Sequence, residues 1–341
     1  MTLLKKIGLL LAAVAILILL LLLSMVRPDI SADTLHERYT DDASTLMSID
    51  GMEVHVNDVG SGPTLLMLHG MFASLHTWDA WADAFHDEYR VVRVDLPGFG
   101  LTGPHPDGDY SLRASMHLLE SIRDELQIDR WTVIGNSMGA GLALSYAQLF
   151  PDHTDGIVLF NGGRLLSLPT RADRESTGQP PATEERRTAE ARPSRVLQAL
   201  GNPVLRKMLS VMTPKFLISS ALGEVYGNAE RLQPETVTRY YQLLRREGNR
   251  QAYLSRTQGS TREPAELPPL PEPVGISESA IPVLILWGEL DSWIPVHRGR
   301  QLHNAIPHSE LILYPDLGHV PMEEDPARTI ADVRRFLEAA H

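Results

Sequence analysis

Apolar positions run without a break from residue 7 to residue 26, and from about residue 43 onward the pattern changes to short apolar and β-branched runs alternating with helical periodicity. That alternation predicts an α/β fold, a mostly parallel sheet covered by helices on both faces. Runs at 46–49 and 52–59 flank Asp50-Gly51, a dipeptide that accepts the positive φ of a tight turn, so an opening hairpin is expected there. The runs at 64–68, 90–94 and 131–134 are nearly all apolar, as strands buried on both faces must be, and each ends at a residue suited to a sharp turn. Runs at 156–160, 282–287 and 310–314 complete eight strands.

Between 163 and 280 the strand signal stops. Segments 203–212, 214–226 and 234–246 each carry proline at or near a first helical turn, where its missing N–H costs nothing, and they predict a helical cap inserted into the α/β core. Segments 170–193 and 263–279, rich in proline and charge, are expected to be loops or mobile linkers. The expected division is an anchor and linker at 1–32, a core at 43–162 and 281–341, and the cap at 163–280.

The first apolar run is long enough, at about 1.5 Å per helical residue, to cross a hydrocarbon layer of about 30 Å. Lys5 and Lys6 precede it, so the positive-inside bias places everything after Arg27 on the non-cytoplasmic side, periplasmic or extracellular. The alternative is a signal peptide cleaved before secretion, although Ile30-Ser31-Ala32 is a poor cleavage site.

Composition narrows the chemistry. The 341 residues carry a net charge of -12, which argues against a nucleic-acid partner. The absence of cysteine excludes thiol nucleophiles and thiolate-held metals, no metal-ligand spacing of the H-E-x-x-H kind occurs, and no cofactor is expected. Oligomeric state is not legible in the sequence.

Gly135-Asn136-Ser137-Met138-Gly139 lies between a predicted strand and a predicted helix at 140–150, the context of a strand-to-helix elbow that exposes a serine. Glycines two residues away on either side let the neighbouring chain pass, and the helix start favours negative charge near Ser137. With this elbow, His69-Gly70-Met71 after the third strand and Asp95-Leu96-Pro97-Gly98-Phe99-Gly100 after the fourth, the chain from about residue 43 to 341 resembles the α/β-hydrolase superfamily.

That resemblance implies an oxyanion hole from the backbone N–H groups of Met71 and Met138, and a triad in the order serine, acid, histidine. Gly288-Glu289-Leu290-Asp291-Ser292-Trp293-Ile294-Pro295 resembles the family's acid loop and gives Asp291, with Glu289 as the rival carboxylate. Gly318-His319 after the last strand gives the histidine. His69 and Asp95 are expected to shape loops, and His76, His105, His153, His303 and His308 to be surface residues. The implied activity is hydrolysis of partly hydrophobic carboxylic esters through an acyl-enzyme. Hydrolysis of carbon–carbon bonds in diketones remains an alternative, since the G-N-S-M-G form also occurs there, and a non-catalytic binding protein on the same fold is a third.

Overall fold

The computed structural model describes residues 3–166, 211, 213–258 and 267–340. Eight strands form one sheet in the order β1-β2-β4-β3-β5-β6-β7-β8. β1 (Ser44–Ile49) and β2 (Met52–Val59) make the hairpin expected around Asp50-Gly51, both at positive φ, and β2 is antiparallel to β4 (Arg90–Val94). From β4 onward, through β3 (Thr64–Leu68), β5 (Trp131–Asn136), β6 (Thr154–Phe160), β7 (Val283–Gly288) and β8 (Glu310–Tyr314), every pairing is parallel.

Side chains divide between the two faces with the period of two that a pleated strand imposes. Leu66, Val92, Val133, Leu159 and Ile285 pack with α4 (Leu112–Glu125), α5 (Met138–Leu149) and α9 (His297–Ala305). Leu65, Val91, Ile134, Val158 and Leu284 pack on the other face with α3 (Asp79–Phe85) and α11 (Pro326–Ala340). Trp78 and Trp81, wholly buried and edge-on at 5.4 Å, fill the space beneath α3. The carboxyl ends of the parallel strands all face one way, so the turns after β3, β4, β5, β6 and β7 converge.

Between β6 and β7, α6 (Lys215–Val225), α7 (Pro234–Leu244) and α8 (Asn249–Gln258) lie over those turns, and Leu222, Val237 and Tyr240 pack with Ala73 of the core. α6 and α7 fall where proline predicted helix starts; α8 was not anticipated. The expected helix at 203–212 lies outside the described residues apart from 211, and the expected loop at 170–193 lies wholly outside them. The expectation of a mobile linker at 263–279 needs correction from residue 267 onward. Val274 exchanges hydrogen bonds with Gln148, and Ile276 is buried in the main core, so this irregular stretch is fixed to α5.

α1 (Leu3–Met25) turns the first apolar run into one helix, with Leu10, Leu11 and Leu17 among its exposed side chains. Among the described residues no helix is long and apolar enough to cross a membrane. The segment after it is not a plain linker: Ser31 caps α2 (Ala32–Tyr39) through the N–H of Thr34, and Leu35 is buried with Leu101 and Leu243. α10 (Pro321–Glu324) is a single turn between the His319 loop and α11.

Candidate active site

Ser137 stands between β5 and α5 at φ 52°, ψ -107°, a left-handed conformation that a non-glycine residue holds only when its surroundings enforce it. The enforcement is visible in the packing. A Cβ on Gly139 would stand 2.2 Å from the Leu68 carbonyl oxygen, and one on Gly135 would stand 2.3 Å from the Gly139 backbone, so β5, α5 and the end of β3 close on each other only through glycine. The Ser137 N–H donates to the Phe160 carbonyl at 2.8 Å, tying the elbow to β6.

His319 and Asp291, from two different loops, stand side by side. Nδ1 of His319 lies 2.7 Å from Oδ2 of Asp291, and both side chains are almost wholly buried. The other carboxylate oxygen, Oδ1, accepts the N–H groups of Trp293 at 2.7 Å and Ile294 at 2.8 Å, so the acid is locked by its own turn. With Oδ2 accepting, Nδ1 carries the proton and Nε2 is left as the basic nitrogen. The rival, Glu289, pairs instead with Arg300 at 3.0 Å on the surface.

Asn161, at the end of β6 and at φ 46°, is a site residue that sequence reasoning missed. Its Nδ2 donates to Asp291 Oδ2 at 2.7 Å and to the Gly318 carbonyl at 3.2 Å, while its Oδ1 accepts the Gly288 N–H. One buried amide thereby connects the acid loop to the histidine loop. Asn136, next to the nucleophile, donates to the His319 carbonyl at 3.0 Å. The only sequence signal for Asn161 is an asparagine followed by two glycines at a strand end, a pattern with left-handed tendency but no unique chemistry.

Ser137, His319 and Met71 line one cavity of about 90 Å³, whose remaining walls are apolar apart from Asn136 and the body of Tyr240: Phe72, Ile218, Leu222, Val225 and Trp293 among them. The Trp293 ring lies 5.6 Å from the His319 ring. The N–H groups of Met71 and Met138 have no acceptor among the described residues. The Ser137 hydroxyl likewise makes no hydrogen bond among them.

His69 is buried with both ring nitrogens committed, Nδ1 to the Gly70 carbonyl at 2.7 Å and Nε2 to the Leu96 N–H at 3.0 Å. It holds the turn, and burial pushes its imidazole below the ordinary value. Asp95 is a buried hub that accepts the N–H groups of Leu75 and Leu101 and sits 2.8 Å from His55 Nδ1. Burial acts to raise its pKa, but the His55 contact and neighbouring imidazoles hold the carboxyl well below the usual range. His76 is not a free surface residue: its ring bridges Asp79 and the Tyr39 carbonyl.

The comparisons with known proteins settle the family. Residues 63–326 match the alpha/beta hydrolase fold. The chain belongs to the α/β-hydrolase family. A 2-hydroxy-6-oxononadienedioate/2-hydroxy-6-oxononatrienedioate hydrolase from Pseudomonas sp. is 30% identical over 78% of this chain and 85% of its own. Among solved structures, a thermophilic esterase from Thermogutta terrifontis aligns with a TM-score of 0.64 at 21% identity, over 89% of this chain and all of its own. A bacterial membrane phospholipase A aligns with a TM-score of 0.65 at 22% identity, over 99% of this chain and 98% of its own. At those identities the two structures speak for the fold alone. This α/β-hydrolase is an enzyme of the hydrolase class.

Proposed function

We propose that this α/β-hydrolase cleaves carboxylic esters through an acyl-enzyme, with Ser137 as nucleophile, His319 as general base and acid, Asp291 as the orienting carboxylate, and the amides of Met71 and Met138 as the oxyanion hole. The observation that carries the reading is the strained serine and the His319–Asp291 pair opening onto one apolar cavity.

In the proposed reaction Ser137 Oγ turns toward His319 Nε2 and loses its proton to it as the oxygen attacks the ester carbonyl carbon. The tetrahedral oxyanion accepts the two unpaired amides, which are in place before charge develops. Collapse breaks the bond to the alkoxy group, which leaves as an alcohol carrying the proton from Nε2. Water then gives a proton to Nε2, attacks the acyl carbon, and the acid departs as Ser137 regains its proton. Asp291 stabilises the imidazolium through the Nδ1 hydrogen bond without itself taking the proton.

The apolar wall favours esters over the second reading, carbon–carbon hydrolysis. The Pseudomonas relative is named for a dicarboxylate, which calls for a counter-charge in its pocket. Among the described residues no cation lines the cavity; Arg239 is drawn toward Asp79 at 3.5 Å and Glu323 at 3.8 Å. The identity to that relative is the reason the second reading is kept.

The proposed molecule is tethered through residues 7–26, with a cap at 163–280 covering a core made of 43–162 and 281–341, on the non-cytoplasmic side. Support comes from the exposed apolar side chains of α1. Ser137→Ala is expected to abolish fluorophosphonate labelling and lower ester turnover by roughly 10⁴-fold or more, with melting temperature kept. Substantial turnover in that variant would overturn the assignment; labelled wild-type enzyme that turns over a vinylogous diketone but no ester would select the second reading.

A further inference from the structure

The chain that follows α1 is bonded to the cap, with the core contributing little. The Arg27 N–H donates to the Val211 carbonyl at 3.0 Å, the Ile30 N–H to that of Arg245 at 2.7 Å, and the Glu247 N–H returns to Ile30 at 2.9 Å. The Arg250 guanidinium, nearly buried, gathers Asp29, the Arg27 carbonyl and the Thr213 hydroxyl, and Arg245 donates to the Pro28 carbonyl at 2.6 Å. A tether through α1 therefore fixes the cap, at residues 211–213 and 245–250, against whatever surface α1 enters.

That side of the cap is apolar where solvent would be expected. Val26 and Val211 are 42% and 46% exposed, and Phe216, at 62%, is the most exposed large apolar side chain outside α1 among the described residues. Lys215 precedes Phe216 in the sequence, and Arg27 and Arg245 adjoin the exit of α1, so cationic side chains stand at the apolar shoulder beside Glu247, with Asp29 paired to Arg250. An apolar patch rimmed by long cationic side chains matches the depth profile of a lipid interface.

α6 joins this shoulder to the chemistry. It carries Phe216 outward in its first turn, while Ile218, Ala221, Leu222 and Val225 line the catalytic cavity. At its far end, about 16 Å away for eleven residues, the Val225 carbonyl accepts the His319 N–H at 2.8 Å. Gly318 fits there because a Cβ on it would stand 2.4 Å from that same carbonyl.

We infer that the shoulder formed by Val26, Val211 and Phe216 rests on the lipid bilayer, and that the cavity is filled from the bilayer along α6 by O-acyl esters of lipids. The inference rests on the ester and tether readings above. Its test uses the full chain in phosphatidylcholine–phosphatidylglycerol liposomes. Because the chain has no cysteine, Phe216→Cys accepts a single environment-sensitive fluorophore, with Gln301→Cys, exposed on α9, as reference. The label at 216 is expected to shift to the blue and to be quenched at least twofold by doxyl-labelled lipid, while that at 301 is not. Separately, Phe216→Asp is expected to slow hydrolysis of bilayer-borne ester about tenfold, as loss of one buried aromatic contact implies, and to leave soluble p-nitrophenyl butyrate within twofold. Activity on a phospholipid or on a diacylglycerol in the bilayer identifies which lipid ester is used. An unquenched label at 216, or equal rates on both substrates for Phe216→Asp, overturns the inference. A quenched label in an enzyme inactive on every ester would instead leave the bilayer contact standing and remove the ester reading.

Discussion

The carboxyl end of the sheet and the cap that covers it are built on different physical terms. Around Ser137, Asp291 and His319 the backbone is held by close packing through glycine and by hydrogen bonds of 2.7 to 2.8 Å to Asp291 from Asn161, Trp293, Ile294 and His319. The cap reaches the two large core clusters through Val225, Tyr226 and Tyr253 and otherwise rests on small apolar clusters, four buried residues at Ala73, Leu222, Val237 and Tyr240 and three at Leu35, Leu101 and Leu243, supplemented by a polar knot. In that knot Glu323 accepts the hydroxyls of Thr77, Tyr226 and Tyr240, and Glu324 accepts the N–H groups of Gly318 and Gly227. The difference teaches that geometry for the chemistry is over-determined, while the wall that selects substrate hangs on few contacts, so errors in the two regions have different kinetic signatures.

The sharpest way to break the first half of that comparison is Asp291→Asn. The amide keeps the shape of the turn but removes the charge opposite the imidazolium, and kcat is expected to fall by roughly 10⁴-fold with KM nearly unchanged. Measured rates within about tenfold of wild type would mean that Asp291 does not orient the base. Asn161→Ala tests the redundancy itself. Loss of the amide that connects the acid loop to the Gly318 carbonyl is expected to displace His319 by a fraction of an ångström and to lower kcat about 10- to 100-fold. Since Trp293 and Ile294 still hold Oδ1, the fall stays well short of that for Asp291→Asn; equal losses would show that the loop depends on one bond.

Much of the core was legible because its physics is local. β3 and β4 have the expected bounds, since a strand buried between two helical layers must be an apolar run bordered by turn residues, and the half-buried edge strand β8 has them as well. The elbow was legible because only glycine permits the approach of Leu68 to Gly139. Asn161 was not, because a single amide joining two loops far apart in sequence leaves no periodicity. The strap before α2 was read as linker and α2 itself was not anticipated, since only Leu35 is buried among polar neighbours, and its partners Leu101 and Leu243 come from distant segments. α8 mixes arginine, glutamine and serine with little apolar stripe, so its docking through Ala252 and Tyr253 was invisible.

The cap half of the comparison is sharpened by Glu323→Gln. Two tyrosine hydroxyls and a threonine converge on this buried carboxylate, and burial followed by the Glu323 charge holds Tyr240 well above the ordinary phenol value. An amide cannot accept from all of them, so one buried polar group is left unpaired at a cost of about 1–3 kcal/mol. Because the knot joins α7 to α10 and not the triad residues to each other, KM for a long-chain ester is expected to rise several-fold while kcat changes less than threefold. Faster amide exchange confined to residues 215–244 would locate the loosening in the cap; a kcat loss like that of Asn161→Ala would place Glu323 in the catalytic geometry instead.

The smallest expected effect is one of pH on stability. His69 is fully buried, and burial lowers its imidazole pKa below the ordinary 6.5. In the unfolded chain this histidine takes a proton near 6.5, whereas the folded protein resists it until lower pH. The unfolded state therefore binds more protons as pH falls through that window, and folding weakens as pH falls from about 7.5 to about 5.5. Glu324 works in the other direction, because burial raises its carboxyl and the folded state takes up that proton first, adding stability as pH falls toward its ordinary value. The two are separated by comparing urea midpoints of wild type and His69→Asn across this range. The wild type is expected to carry the steeper downward slope, since asparagine retains a donor for the Gly70 carbonyl but does not titrate, while His36, also lowered by burial, stays in both proteins. Parallel curves for the two proteins would show that another group governs acid sensitivity. A shallower curve for the variant would tie it to the turn that carries Met71, the rigid region, and leave the cap's loosening with pH as a separate measurement on the Glu324 seam.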